Sequence, residues 1–150
     1  MDMGFDKSKS AGYLTNHLAR LFASELQNAI RHLGIAPAQF MTLLELWRED
    51  GLTQKALVKR LDVEQATMAN TLTRMERDGL IRRKPNPADA RSQQIWLTPR
   101  AKKLEEPATE AAGSINAIAL ADLSDAEKTQ FLDMMRRVIA TLHPETASDR

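Results

Sequence analysis

The chain has 150 residues, a formal net charge of +1, 43% hydrophobic and 27% charged residues, and no cysteine. This balance suits one globular domain, or a compact lobe with an oligomerisation element. Disulfides, thiolate metal sites and thiol redox sensing are excluded. With no stretch long and apolar enough for a membrane span and no signal-peptide pattern, a cytoplasmic location is expected and a membrane partner is not.

Met1 to Ser10 is polar and without periodicity, and reads as a frayed or disordered tail. Leu14, Leu18, Leu21, Phe22, Leu26, Ala29, Ile30 and Leu33 then recur at three- and four-residue steps up to Gly34. That spacing predicts one amphipathic helix with a glycine stop, its apolar stripe wide enough for the chain's own core and a partner subunit. Pro37 opens a second helix, with Phe40, Leu43, Leu44 and Trp47 as its buried face and Glu49-Asp50-Gly51 as its end. Thr53 is placed to cap a third helix with Ala56, Leu57 and Leu61 inward. Asp62-Val63 makes a turn. Glu64 to Arg77 is the fourth helix, with Met68, Leu72 and Met75 as its core stripe.

Gly79 ends that helix, and Leu80 to Lys84 reads as a strand. A turn-rich tip, Pro85 to Ala90, leads into a returning strand from Arg91 to Leu97 with Gln93, Ile95 and Leu97 toward one face. Two strands around a basic tip make a wing. Thr98-Pro99 starts a fifth helix expected to kink near Pro107. Ser124-Asp125-Ala126-Glu127 forms a capping box that launches a sixth, carrying Phe131, Leu132, Met135, Val138, Ile139 and Leu142. The expected fold is mainly α with a small β-wing. Residues 35–100 would form a winged helix-turn-helix lobe, and 11–34 with 101–143 a helical dimerisation layer within one domain spanning 11–150.

Between Leu52 and Arg100 ten Lys/Arg face five Asp/Glu, a local charge of +5 within a chain of +1. Concentrated positive charge is the footprint of a polyanion binder. With one Tyr, four Phe and two Trp there is little for base stacking, so double-stranded DNA is the expected nucleic acid. The outward face of the fourth helix gathers Ala66, Thr67, Asn70, Thr73, Arg74 and Arg77, with Gln65 at its exposed start. A solvated helix surface ordinarily mixes Glu and Lys. Amides can instead bond adenine, arginine guanine, and threonine a thymine methyl or a phosphate. The expected DNA-binding set is Lys55, Gln65, Thr67, Asn70, Thr73, Arg74, Arg77, Arg83, Lys84, Asp89 and Arg91. Arg91 is the candidate for the minor groove, and Asp89 for orienting a neighbouring arginine.

Enzymatic chemistry has no foothold. Neither G-x-x-x-x-G-K-[ST] nor G-x-G-x-x-G occurs, so no nucleotide cradle is expected. His17, His32 and His143 are scattered, Glu105 and Glu106 point in different helical directions, and Met68, Met75, Met134 and Met135 sit at core spacing. No metal or cofactor is expected. The rival to DNA binding is the same fold serving as a protein-interaction adaptor.

Asp89-Ala90-Arg91-Ser92-Gln93-Gln94-Ile95-Trp96-Leu97-Thr98 resembles the D-x-R…[VI]-x-L-T wing signature of the multiple-antibiotic-resistance regulator (MarR) family. Gly79-Leu80-Ile81-x-Arg83 resembles that family's G-L-[IV]-x-R. The likeness runs roughly from Leu14 to Leu142. It implies a homodimer with interlocked N- and C-terminal helices, acting as a repressor or sometimes an activator of neighbouring genes. It further implies a pseudo-palindromic operator and release by a small aromatic or phenolic effector. By position, Gln65, Thr67, Asn70 and Arg74 would lie on the recognition helix and Arg91 on the wing. Ala90 replaces a basic residue common there, and Ala101 a frequent glycine. The cysteine of the family's peroxide sensors is absent, so this chain is not that kind of sensor.

Overall fold

Apolar residues at helical spacing build α1 (Ala11–Ile30), α2 (Pro37–Arg48), α3 (Gln54–Leu61), α4 (Gln65–Arg77), α5 (Pro99–Lys103), α6 (Glu105–Ala119) and α7 (Asp125–Leu142). Strands β1 (Leu52–Thr53), β2 (Ile81–Asn86) and β3 (Asp89–Leu97) complete the computed structural model, in which residues 4–144 are described. The strands form one antiparallel sheet in the order β1-β3-β2. The expected mainly helical fold with a small β-wing is therefore the observed one.

The helix starts obey their caps. The Ser10 hydroxyl accepts from the Tyr13 N–H at 3.1 Å, Thr53 from Ala56 at 3.1 Å and Thr98 from Ala101 at 3.2 Å. At α7 the capping box is closed both ways, Glu127 N–H to the Ser124 hydroxyl at 3.2 Å and Ser124 N–H to the Glu127 carboxylate at 2.8 Å. The Ser124 backbone N–H, then the Ser124 hydroxyl, hold the Glu127 carboxyl below its ordinary range. Each cap contributes about 1 kcal/mol by satisfying N–H groups that a helix start leaves unpaired. After α1 a 3-10 turn, Arg31–Leu33, ends at Gly34, whose φ of 76° is the left-handed stop the glycine permits.

Four details depart from the sequence reading. The segment expected to fray holds a 3-10 turn at Lys7–Lys9, capped by the Asp6 side chain, while Met1 to Met3 lie outside the described residues. The wing has a third strand, β1, whose Leu52 pairs with Ile95 and Thr53 with Gln94. The expected kink near Pro107 is a break at Leu104, which separates α5 from α6. A proline N–H is missing where Lys103 would need a donor, so the ladder is interrupted there. Leu44, expected on the buried face of α2, is exposed beside Met41, and Thr42 takes the interior position with its hydroxyl donating to the Ala38 carbonyl at 3.0 Å.

Phe40, Leu43 and Leu46 of α2, Leu57 of α3, Met68, Leu72 and Met75 of α4, and Leu80, Ile81 and Ile95 of the wing base form the core. Ile30 of α1, Ala101 of α5 and Ala108 of α6 are buried in the same cluster. The Trp47 indole N–H donates to the Ala101 carbonyl at 3.0 Å, and its ring meets Phe40 edge-on. The helical layer is thus rooted in the lobe that carries α4. No residue of α7 is buried, and α7 leaves Leu132, Met135, Val138, Ile139 and Leu142 exposed.

The junction after α4 is fastened by Asp78. Its carboxylate accepts from Arg77 Nε at 3.1 Å and from the Gln39 amide at 3.0 Å, and its carbonyl accepts from Arg100. The Arg77 bond, then the Gln39 bond, hold the Asp78 carboxyl below its ordinary value of 3.8. The stabilisation is present above the unfolded value and is lost as pH falls through the lower, folded value. Asp78→Asn should therefore flatten the acid limb of stability below about pH 4, where carboxylates titrate, as measured by melting temperature against pH. A limb as steep as that of the wild type would place the acid sensitivity elsewhere.

Candidate nucleic-acid interface

The buried stripe of α4 determines what its other side presents. With Met68, Leu72 and Met75 facing the core, the 100° step per residue turns Gln65, Ala66, Thr67, Asn70, Thr73, Arg74 and Arg77 outward, and all seven are exposed. Among the described residues the side chains of Gln65, Thr67, Asn70 and Arg74 make no hydrogen bond or ion pair, and neither does exposed Lys55 on α3. Arg77 is exposed and paired with Asp78 at 3.1 Å.

The angle between α3 and α4 is held by Asp62, a non-glycine residue in the left-handed region at φ 52°. Arg60 ties α3 back to α2. One Nη donates to Glu49 at 2.6 Å and the other lies 3.6 Å from Glu45. The Glu49 bond, with smaller help from Glu45, raises the Arg60 guanidinium above its ordinary range. Arg60 is therefore a brace rather than an available cation.

At the wing tip Asp89 orients Arg91. One Asp89 oxygen accepts from the Arg91 backbone N–H at 3.0 Å and from its Nε at 3.3 Å, leaving the Arg91 side chain 93% exposed. The Asn86 amide donates to Ser92 at 2.9 Å and its carbonyl accepts from Ala88, which closes the tip. Lys84 lies over the Trp96 ring at 5.7 Å.

Two of the expected contacts, Arg83 and Thr73, bond each other. The Arg83 guanidinium donates to the Thr73 hydroxyl at 2.9 Å, and that hydroxyl donates in turn to the Ala69 carbonyl at 2.9 Å. Strand alternation carries the signal: Ile81 and Arg83 share the face toward α4, while Arg82 and Lys84 share the other. The contact between Trp96 and Gly51 has no local sequence signal, because the two residues are far apart in the chain. A Cβ on Gly51 would stand 2.7 Å from the Trp96 ring.

The arrangement is one convex helix with amides, a hydroxyl and an arginine available, beside a hairpin that projects an oriented arginine. A helix fits the DNA major groove, and an arginine on a thin ribbon suits the narrow minor groove next to it. Among the described residues no group of His, Asp and Glu side chains could hold a metal ion, and no helix is long and apolar enough to cross a membrane.

Comparison with known proteins agrees with this geometry. The sequence model of the MarR family matches residues 35–93. The organic hydroperoxide resistance transcriptional regulator of Bacillus subtilis (strain 168) is 31% identical over 146 residues, covering 95% of this chain and 98% of that protein. The solved structure of overoxidized AbfR bound to DNA is similar at a TM-score of 0.69 and 26% identity, over 87% of this chain and 90% of that one. The fold is shared with PcaV of Streptomyces coelicolor, solved in complex with its natural ligand, at a TM-score of 0.82 and 24% identity, over 95% and 100% of the two chains.

Proposed function

From its membership of the MarR family, to which this chain belongs, we infer that the protein is a transcriptional regulator that binds double-stranded DNA. The observation that carries this reading is the exposed, uncommitted face of α4 beside the Asp89–Arg91 tip. In this reading α4 enters the major groove and reads base edges with Gln65, Thr67, Asn70 and Arg74. Lys55, Arg77 and Lys84 meet phosphates, and Arg91 enters the minor groove with Asp89 holding its orientation.

The working form is a homodimer. A single lobe offers one half-site, and a two-fold pair doubles the contacts and sets the half-site spacing on a pseudo-palindromic operator. The apolar faces of α1 and α7, with Leu14, Leu18, Leu21, Val138, Ile139 and Leu142 exposed, supply the surface that a second copy would cover. Repression relieved by a small aromatic effector completes the proposal, supported by the shared fold of a ligand-bound relative.

Selection of bound sites from random DNA tests the reading. Binding should weaken linearly in log salt, with a slope near −0.9 per neutralised phosphate. Asn70→Ala should cost roughly 1–3 kcal/mol and relax the preference at one base position. Arg91→Ala should weaken binding to all sequences. A purified chain with no salt-dependent affinity for any selected site would defeat the proposal.

A further inference from the structure

We propose that Arg83 is a positioning residue that sets the angle of the wing against α4, and that Thr73 and Glu76 are its sockets; this rests on the DNA-binding reading above. The Arg83 backbone N–H donates to Glu76 at 3.3 Å, its Nη2 donates to Thr73 at 2.9 Å, and its Nε lies 3.8 Å from Glu76. The side chain is only 21% exposed, and its Nε is buried without a hydrogen-bond partner. Thr73 and Glu76 are three residues apart, so both project from one face of α4 toward β2. Among the described residues, the hydrogen bonds that join α4 to β2 beyond Ile81 all come through Arg83.

Geometry explains why one bracket matters. β1 supports the sheet only at Gln94 and Ile95, so the wing beyond them is a bare two-stranded ribbon. From Arg83 to the tip the ribbon extends four or five residues, about 15 Å at the rise of a strand. A swing of about 10° at Arg83 would move the tip by roughly 2–3 Å over that length, more than a hydrogen bond tolerates. Arg91 sits at that tip and Gln65 to Arg74 on the helix, so Arg83 sets how far apart the minor- and major-groove contacts fall. A lysine has one charge centre and no planar fork, so it cannot reach Thr73 and Glu76 together in the same geometry.

The test is a double-mutant cycle on a selected operator, with footprinting in both grooves. Arg83→Ala should lower affinity by about the loss of Arg91→Ala, roughly tenfold or more if the minor-groove contact has ordinary strength. The double variant should be little weaker than either single one, because a misplaced tip no longer uses Arg91. Arg83→Ala should lose minor-groove protection while major-groove protection over α4 persists. Thr73→Val, which alters no charge and serves if Arg83→Ala folds poorly, should show the same non-additivity, and Arg83→Lys should not rescue. Additive losses with the minor-groove footprint intact would overturn the proposal and make Arg83 or Thr73 a direct DNA contact. A wild-type chain that bound no DNA would instead overturn the reading on which it rests.

Discussion

Ile139→Asp is expected to leave the protein monomeric and to weaken operator binding by about a thousandfold or more, the gap that commonly separates specific from non-specific affinity. Ile139 shares one face of α7 with Leu132, Met135 and Leu142, spaced three, four and three residues apart. All four are exposed, and no residue of α7 is fully buried within its own chain. Fully burying an aliphatic side chain contributes about 1.5–3 kcal/mol, and with Ile139 42% exposed the part left to cover is about 1 kcal/mol. A two-fold axis repeats the substitution, so two carboxylates would lose water in the same interface, each at a cost of several kcal/mol. Because Ile139 is not part of the buried core, circular dichroism should show retained helix. Sedimentation should report a single-chain mass, and electrophoretic shifts should be lost. A dimer of unchanged stability would remove α7 from the interface.

Gly51→Ala should have a larger effect on folding than Gly34→Ala or Gly79→Ala. Gly51 has φ 79°, where an L-residue costs about 1–2 kcal/mol. Its new Cβ would also stand 2.7 Å from Cη2 and Cζ2 of Trp96, so the indole must move. That ring lies beneath Lys84, and the Gly51 N–H donates to the Ile95 carbonyl at 3.0 Å, so the wing base moves with it. The combined loss is about 2–3 kcal/mol, or a melting temperature lower by roughly 5–10 °C for a chain of this length. Differential scanning calorimetry measures it, and Trp96→Ala in the same background should recover the part due to the clash. An unchanged melting temperature would show that neither the backbone nor the ring is constrained there.

The helices were legible because each has its own local signals. Met68, Leu72 and Met75 mark the inner side of α4 by spacing alone, and the reading face follows by rotation. Thr53, Thr98 and Ser124 announce their helices because capping needs a partner only three residues on. The losses lie where a partner is distant in sequence. β1 has only two residues and exists because β3 lies beside it, with the Asp50 carboxylate accepting from the Leu97 N–H at 2.9 Å. Two residues have no periodicity. Leu44 belongs to a helix whose apolar residues Phe40, Met41, Leu43, Leu44, Leu46 and Trp47 lie on more than one side, so spacing alone does not fix its rotation, and the buried Thr42 and Leu46 settle it. Arg83 and Thr73 look like DNA contacts by residue type, and only the proximity of β2 to α4 reveals that they bond each other.

The short pairing of Leu52 with Ile95 also orders how the chain can assemble. It closes a loop that contains α3, α4 and β2, so those elements reach their final arrangement only once β3 has arrived. Loop closure costs entropy before any pairing is made, whereas a helix needs only its neighbours. During synthesis α4 therefore emerges and can coil and meet α2 and α3 well before Ile95 has been added, but the wing beside it cannot form until then. A nascent chain that stalls before β3 would carry the reading helix without the wing that stands beside it.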